Sequence, residues 1–169
     1  MDKVKEIHLR NLDEKKLNEI GYEIGKNLKA GDLILLKGEL GSGKTTLTKA
    51  IAHGIGVERD RVRSPSFVIM NIYSNHLKIY HMDLYRLKDE EDFISAGLME
   101  FLQMDDGVTV VEWADRISGI ELDEFLEITI DFEGEGKRSM RLRAKGGRFR
   151  SMVENLSRRE MVNFEDQAG

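Results

Sequence analysis

Leu33-Ile34-Leu35-Leu36-Lys37-Gly38-Glu39-Leu40-Gly41-Ser42-Gly43-Lys44-Thr45-Thr46-Leu47 is the stretch that decides the fold. Its middle, Gly38 to Thr45, fits G-x-x-x-x-G-K-[ST] without a mismatch. Each residue type has a task there. The glycines let the backbone curl until successive N–H groups face inward at anionic oxygens. Lys44 can reach β- and γ-phosphates, and the Thr45 hydroxyl can ligate Mg²⁺. The pattern arises by chance in roughly one chain in a hundred of this length, so the flanks matter. Leu33 to Leu36 is a short apolar run suited to a buried strand. Beyond the loop, Leu47, Ile51 and Ile55 recur at four-residue spacing, on one face of a helix over Thr45 to Ile55 that Gly54 and Gly56 end. Strand, glycine-rich loop, helix is the setting in which the pattern grips a nucleoside triphosphate.

The rest of the chain supplies a domain around that unit. With 169 residues there is enough sequence for one substantial core and little for two. No secretory leader and no apolar run near 18 residues is visible, and cysteine is absent. Those features fit a cytoplasmic protein and exclude disulfides and thiolate metal sites. The net charge of −5 is a poor footprint for an autonomous nucleic-acid binder. The local basic run from Arg138 to Arg150 reads as a solvated strand face and turn, or as a docking surface.

Val4 to Leu9 alternates weakly, as an edge strand does. Leu17, Ile20, Ile24 and Leu28 share one face of a helix that Asp13 can cap. Phe67 to Tyr73 and Leu77 to Asp83 read as strands joined through Ser74-Asn75-His76, and Phe125 to Phe132 and Arg138 to Ala144 form a second hairpin. Asp89 to Gln103 is expected to be mostly helical with a break at Gly97, and Val108 to Val111 to be a buried strand. The expected fold is therefore α/β: one P-loop NTPase domain over residues 1–150 with a mixed parallel and antiparallel sheet flanked by helices. A helical extension follows over 151–169.

A triphosphate site also needs an acid to organise Mg²⁺. Asp83 and Glu112 each end a strand, where ligands of open α/β sheets sit. Ser64-Pro65-Ser66-Phe67 lies between the loop's helix and the next strand, where a hydroxyl can order around a γ-phosphate or serve only a turn. His76 and His81 have no partner at metal-ligand spacing on a helix. Trp113 can stack on a base, anchor a partner or fill core.

Together Gly38 to Thr46, Ser64-Pro65-Ser66-Phe67, Tyr80-His81-Met82-Asp83-Leu84-Tyr85-Arg86-Leu87 and Val111-Glu112-Trp113 resemble the TsaE family, formerly YjeE. That family is the P-loop ATPase of bacterial tRNA threonylcarbamoyladenosine biosynthesis, and the likeness spans roughly Leu9 to Arg148. The resemblance implies ATP and Mg²⁺ as cofactors and a TsaB–TsaD heterodimer as partner, with tRNA reached only through that complex. By the same resemblance Lys44, Asp83 and Glu112 are the catalytic set, and Thr45, Glu112 and Asp83 the candidate metal ligands. Leu40, Gly41, Ser42, Gly43, Lys44, Thr45, Thr46, Ser66 and Trp113 are expected to line the nucleotide. Asn11 and Glu14 match a loop near its base. One departure is Ser66, where the family usually has Thr; the hydroxyl is kept.

A small-molecule kinase on the same fold is the alternative, but no lid-like, arginine-rich insertion is visible. Nor is an arginine finger or a water-orienting Gln, so weak hydrolysis by the isolated chain is expected.

Overall fold

The computed structural model describes residues 4–64 and 69–168, with side chains as far as residue 160. Seven strands among the described residues form one sheet: β1 (Val4–Leu12), β2 (Leu33–Gly38), β3 (Met70–Tyr73), β4 (Lys78–Asp83), β5 (Gly107–Glu112), β6 (Phe125–Gly134) and β7 (Lys137–Lys145). Their order is β1-β7-β6-β2-β5-β4-β3. The central pairs β6/β2, β2/β5 and β5/β4 are parallel, and the β1/β7, β7/β6 and β4/β3 pairs are antiparallel. The mixed sheet and both hairpins thus stand as the sequence predicts. β2 and β5 are buried along most or all of their length, as a doubly covered parallel sheet requires.

Helices α1 (Glu14–Lys26), α2 (Lys44–Ile55) and α4 (Gly147–Ala168) cover one face, and α3 (Glu90–Ser95) with two short 3₁₀ turns covers the other. Asp13 caps α1 by accepting a hydrogen bond from the Lys16 N–H at 2.8 Å. Leu17, Ile20 and Ile24 of α1 are buried, each stabilising the fold by about 2 kcal/mol. Phe149, Met152, Val153 and Leu156 of α4 join the same core.

Two expectations change. Gly54 does not end α2; it lies inside the helix, and Gly56 at φ 113° is the C-cap. A Cβ on Gly54 would fall 2.2 Å from the Tyr22 carbonyl oxygen, and one on Gly25 2.0 Å from that of Ile51. Gly54 is there so that α1 and α2 can approach backbone to backbone. The helix expected over Asp89 to Gln103 shortens to α3, because Gly97 turns the chain at φ 75° and Met99–Leu102 continues as a 3₁₀ turn. Phe93, Leu98 and Leu102 are buried by this broken path.

Candidate nucleotide site

The parallel strands β2, β4 and β5 end side by side, and the candidate site lies there. β2 runs into the glycine-rich loop at Gly38, whose φ is 146°. A Cβ on Gly38 would sit 2.6 Å from both the Ile130 carbonyl oxygen and the Ser42 hydroxyl, so only glycine fits. Gly43, at φ 118°, is the N-cap of α2, so the unpaired N–H groups of the first helical turn face back into the loop. The Ser42 hydroxyl is fully buried and, among the described residues, lacks a hydrogen-bond partner. Arg138 of β7 holds the loop from outside: its Nε donates to the Ser42 carbonyl at 2.9 Å while its guanidinium lies 4.4 Å from the Phe132 ring centre.

Lys44 is buried, and its ammonium donates to the carbonyls of Gly38 at 2.6 Å and Glu39 at 2.8 Å. The same Nζ stands 4.2 Å from the Trp113 ring centre. Burial pushes the Lys44 pKa below the usual lysine value, and the charges of Glu112, Asp83 and Asp115 oppose that shift.

Register places the two candidate acids as neighbours. Glu112 pairs with Leu36 on β2 and with Asp83 on β4. Glu112 is only 2% exposed. Its Oε1 accepts from the Thr45 hydroxyl at 2.9 Å; its Oε2 lies 2.5 Å from His81 Nε2 and 3.4 Å from the Thr48 hydroxyl. Asp83 is half-buried. It accepts from the Ser64 hydroxyl at 3.0 Å and from the Tyr85 N–H at 3.0 Å.

Trp113 follows Glu112 in a left-handed backbone conformation (φ 58°, ψ 40°). Such geometry costs a bulky residue about 1–3 kcal/mol and collects at functional sites. Here it turns the indole over Lys44, with the Tyr85 ring 5.1 Å away and the Arg116 guanidinium at 5.2 Å.

These contacts bring together Ser42, Gly43, Lys44, Thr45, Asp83, Glu112 and Trp113. Leu40 and Gly41 form the exposed crest of the loop, and Thr46 is half-buried in the first turn of α2. Asn11 and Glu14 are exposed, and the Asn11 N–H is held by Glu133 at 2.8 Å. They reach the loop only indirectly: Leu12 pairs in register with Arg138, which bonds Ser42. Ser66, with Pro65 and Phe67, lies outside the described residues.

A family model, threonylcarbamoyl adenosine biosynthesis protein TsaE, matches residues 12–140. The chain belongs to the TsaE family. The match spans the glycine-rich loop, both acids and Trp113, so the TsaE likeness covers the whole cluster. The tRNA threonylcarbamoyladenosine biosynthesis protein TsaE of Bacillus subtilis is 36% identical, over 95% of this chain and 99% of its own length. TsaE of Aquifex aeolicus is 34% identical over 86% of this chain and 100% of its own. A crystal structure of YdiB from Bacillus subtilis superposes with a TM-score of 0.73 at 34% identity, covering 94% of this chain and 98% of that one.

Three contributors were missed in the TsaE sequence pattern. The sequence reading sets His81 aside as a metal ligand, does not single out Thr48, and places Arg138 in a basic run that is either a solvated strand face and turn or a docking surface. The usable signal for His81 was alternation: on β4 it shares a face with Asp83.

Proposed function

We propose that this TsaE-family chain is an Mg²⁺-dependent, ATP-hydrolysing subunit of the tRNA threonylcarbamoyladenosine machinery, working in the cytoplasm on a TsaB–TsaD pair. One observation carries the reading: the Thr45 hydroxyl and Glu112 Oε1, from opposite sides of the site, meet at 2.9 Å. Two neighbouring oxygen ligands of an octahedral Mg²⁺ stand about 3 Å apart, so this pair fits the ion. Among the described residues no three His, Asp or Glu side chains gather as a metal cage. That suits Mg²⁺, which takes one or two protein ligands and completes its shell with phosphate and water.

The parts then divide the work. The loop N–H groups from Gly41 to Thr45 and the start of α2 receive the phosphates. Lys44 exchanges the Gly38 and Glu39 carbonyls for phosphate oxygens. Thr45 and Glu112 would hold Mg²⁺, which would supply positive charge against the phosphates. Asp83, less buried and beside Ser64, orients the attacking water, with Ser66 on the same stretch of chain. Trp113 shields the lysine and the phosphates from bulk water, which strengthens their attraction. Leu40, Thr46, Asn11 and Glu14 form the rim, the last two toward the base.

Lys44→Ala is expected to weaken ATP binding by at least roughly a hundredfold, the scale of two hydrogen bonds to a charged group. Isothermal titration with Mg–ATP checks this, and an unchanged affinity would remove the assignment of the loop. Phosphate release should be slow for the isolated chain and rise when TsaB and TsaD are added.

A further inference from the structure

We propose that His81 is a positioning residue for Glu112, and that with Tyr73 it ties the metal-holding carboxylate to the Arg63–Ser64 segment beside Asp83. The inference rests on the Mg–ATP reading of the site.

A glutamate that holds a metal through one oxygen must be restrained through the other, because its side chain has up to about 2 kcal/mol of rotamer entropy to lose. His81 supplies that restraint. It is fully buried on β4, and its Nε2 stands 2.5 Å from Glu112 Oε2, leaving Oε1 turned to Thr45. A carboxylate can only accept here, so the imidazole proton sits on Nε2. Metal-holding groups are commonly oriented by such outer partners.

The other ring nitrogen continues the chain. His81 Nδ1 lies 3.3 Å from the Tyr73 hydroxyl. With Nε2 protonated, Nδ1 accepts the one Tyr73 hydroxyl proton, which the Arg63 carbonyl at 3.0 Å shares, and the hydroxyl oxygen accepts from the Arg63 N–H at 3.1 Å. Asn71 adds a bond to the same carbonyl at 3.3 Å. The next residue, Ser64, donates to Asp83 at 3.0 Å. Glu112, His81, Tyr73, Arg63, Ser64 and Asp83 therefore form a ring of contacts that closes on itself, because Asp83 and Glu112 are register partners. A core histidine needing only satisfaction could use any carbonyl. This one is spent on the carboxylate that faces Thr45, and its second contact reaches the segment that touches the other acid.

The test titrates Mg²⁺ into the full chain with a fluorescent ATP analogue, measures analogue affinity in EDTA, and follows thermal unfolding of each variant. His81→Leu should raise the Mg²⁺ midpoint roughly 10- to 100-fold while EDTA affinity stays within about twofold. His81→Gln, which keeps a donor near the Nε2 position, should recover most of the loss. Tyr73→Phe, which keeps the ring and its packing, should raise the midpoint about threefold; it decides the matter if His81→Leu fails to fold. Wild-type midpoints in folded His81→Leu or in Tyr73→Phe would overturn the proposal, as would equal losses with and without Mg²⁺. If the wild-type chain itself bound the analogue with no Mg²⁺ dependence, the reading of the site would fall and this inference with it. Mg²⁺-dependent wild-type binding that the variants share would sink the inference alone.

Discussion

Asp83 and Glu112 end adjacent strands, pair in register, and differ in nearly everything else. Glu112 is sealed beneath the glycine-rich loop and gripped by the Thr45 hydroxyl and an imidazole, with the Thr48 hydroxyl, which donates to the Lys44 carbonyl at 2.9 Å, lying 3.4 Å away. Asp83 is half-buried and held by one serine hydroxyl and one backbone N–H, both on segments nearer solvent. The difference teaches how one sheet end can present two carboxylates with separate tasks. Glu112 is bonded by hydroxyl and imidazole and not by a lysine or arginine, and Lys44, the ammonium that its charge acts on, is bonded to the Gly38 and Glu39 carbonyls instead, which leaves the carboxylate able to hold a metal. A more open acid tethered to a loop can follow that loop and hold water.

Two substitutions break the comparison if the roles are reversed. Glu112→Gln keeps the shape and removes the charge. It should raise the Mg²⁺ requirement for ATP binding by at least roughly a hundredfold, the upper end of what even outer-shell changes cause. An unaltered Mg²⁺ titration would transfer the ligand role to Asp83. Asp83→Asn should leave that titration near wild type and slow phosphate release, measured with partner proteins present, about tenfold. That is the scale of one hydrogen bond to a charged group. A variant of Asp83 that lost binding and kept the turnover rate of bound nucleotide would contradict the division of labour.

How much of this was legible in the chain depended on the range of the interactions. The loop and its strand–loop–helix setting were readable because Gly38, Gly43, Lys44 and Thr45 act through local backbone geometry. Both hairpins and the mixed sheet were readable because alternation and short turns are local too. Gly54 was misread because its reason is a neighbour, Tyr22, on another helix. His81 and Arg138 were undervalued for the same cause. Their partners, Glu112 and Ser42, are far away in sequence and meet them only once strand order is set. Strand register, which no local pattern specifies across a parallel crossover, is what turned two separate acids into one site.

A third carboxylate sharpens the contrast. Glu127 on β6 is nearly as buried as Glu112, at 6% exposure, but it is bracketed by cations: Lys37 at 2.6 Å and Arg143 at 2.8 Å. Burial alone would push its pKa up; the two cations more than reverse this and hold it below the usual glutamate value of 4.5. Its charge is answered within the fold, so it has nothing to offer a metal. Glu127→Gln should therefore cost stability, about 1 kcal/mol for a pair whose cations are partly solvated, and leave the Mg²⁺ titration of ATP binding unchanged. The pH dependence has a defined sign. Below 4.5 the unfolded chain takes up the proton before the folded one, so the stabilisation is fully present above 4.5 and fades as pH falls through the depressed folded value. Glutamine does not titrate. The gap in melting temperature between wild type and Glu127→Gln should thus be widest at neutral pH and close in acid. A gap that persisted unchanged in acid would mean that Glu127 is held by packing and not by its two cations, and those cations would then no longer separate it from Glu112.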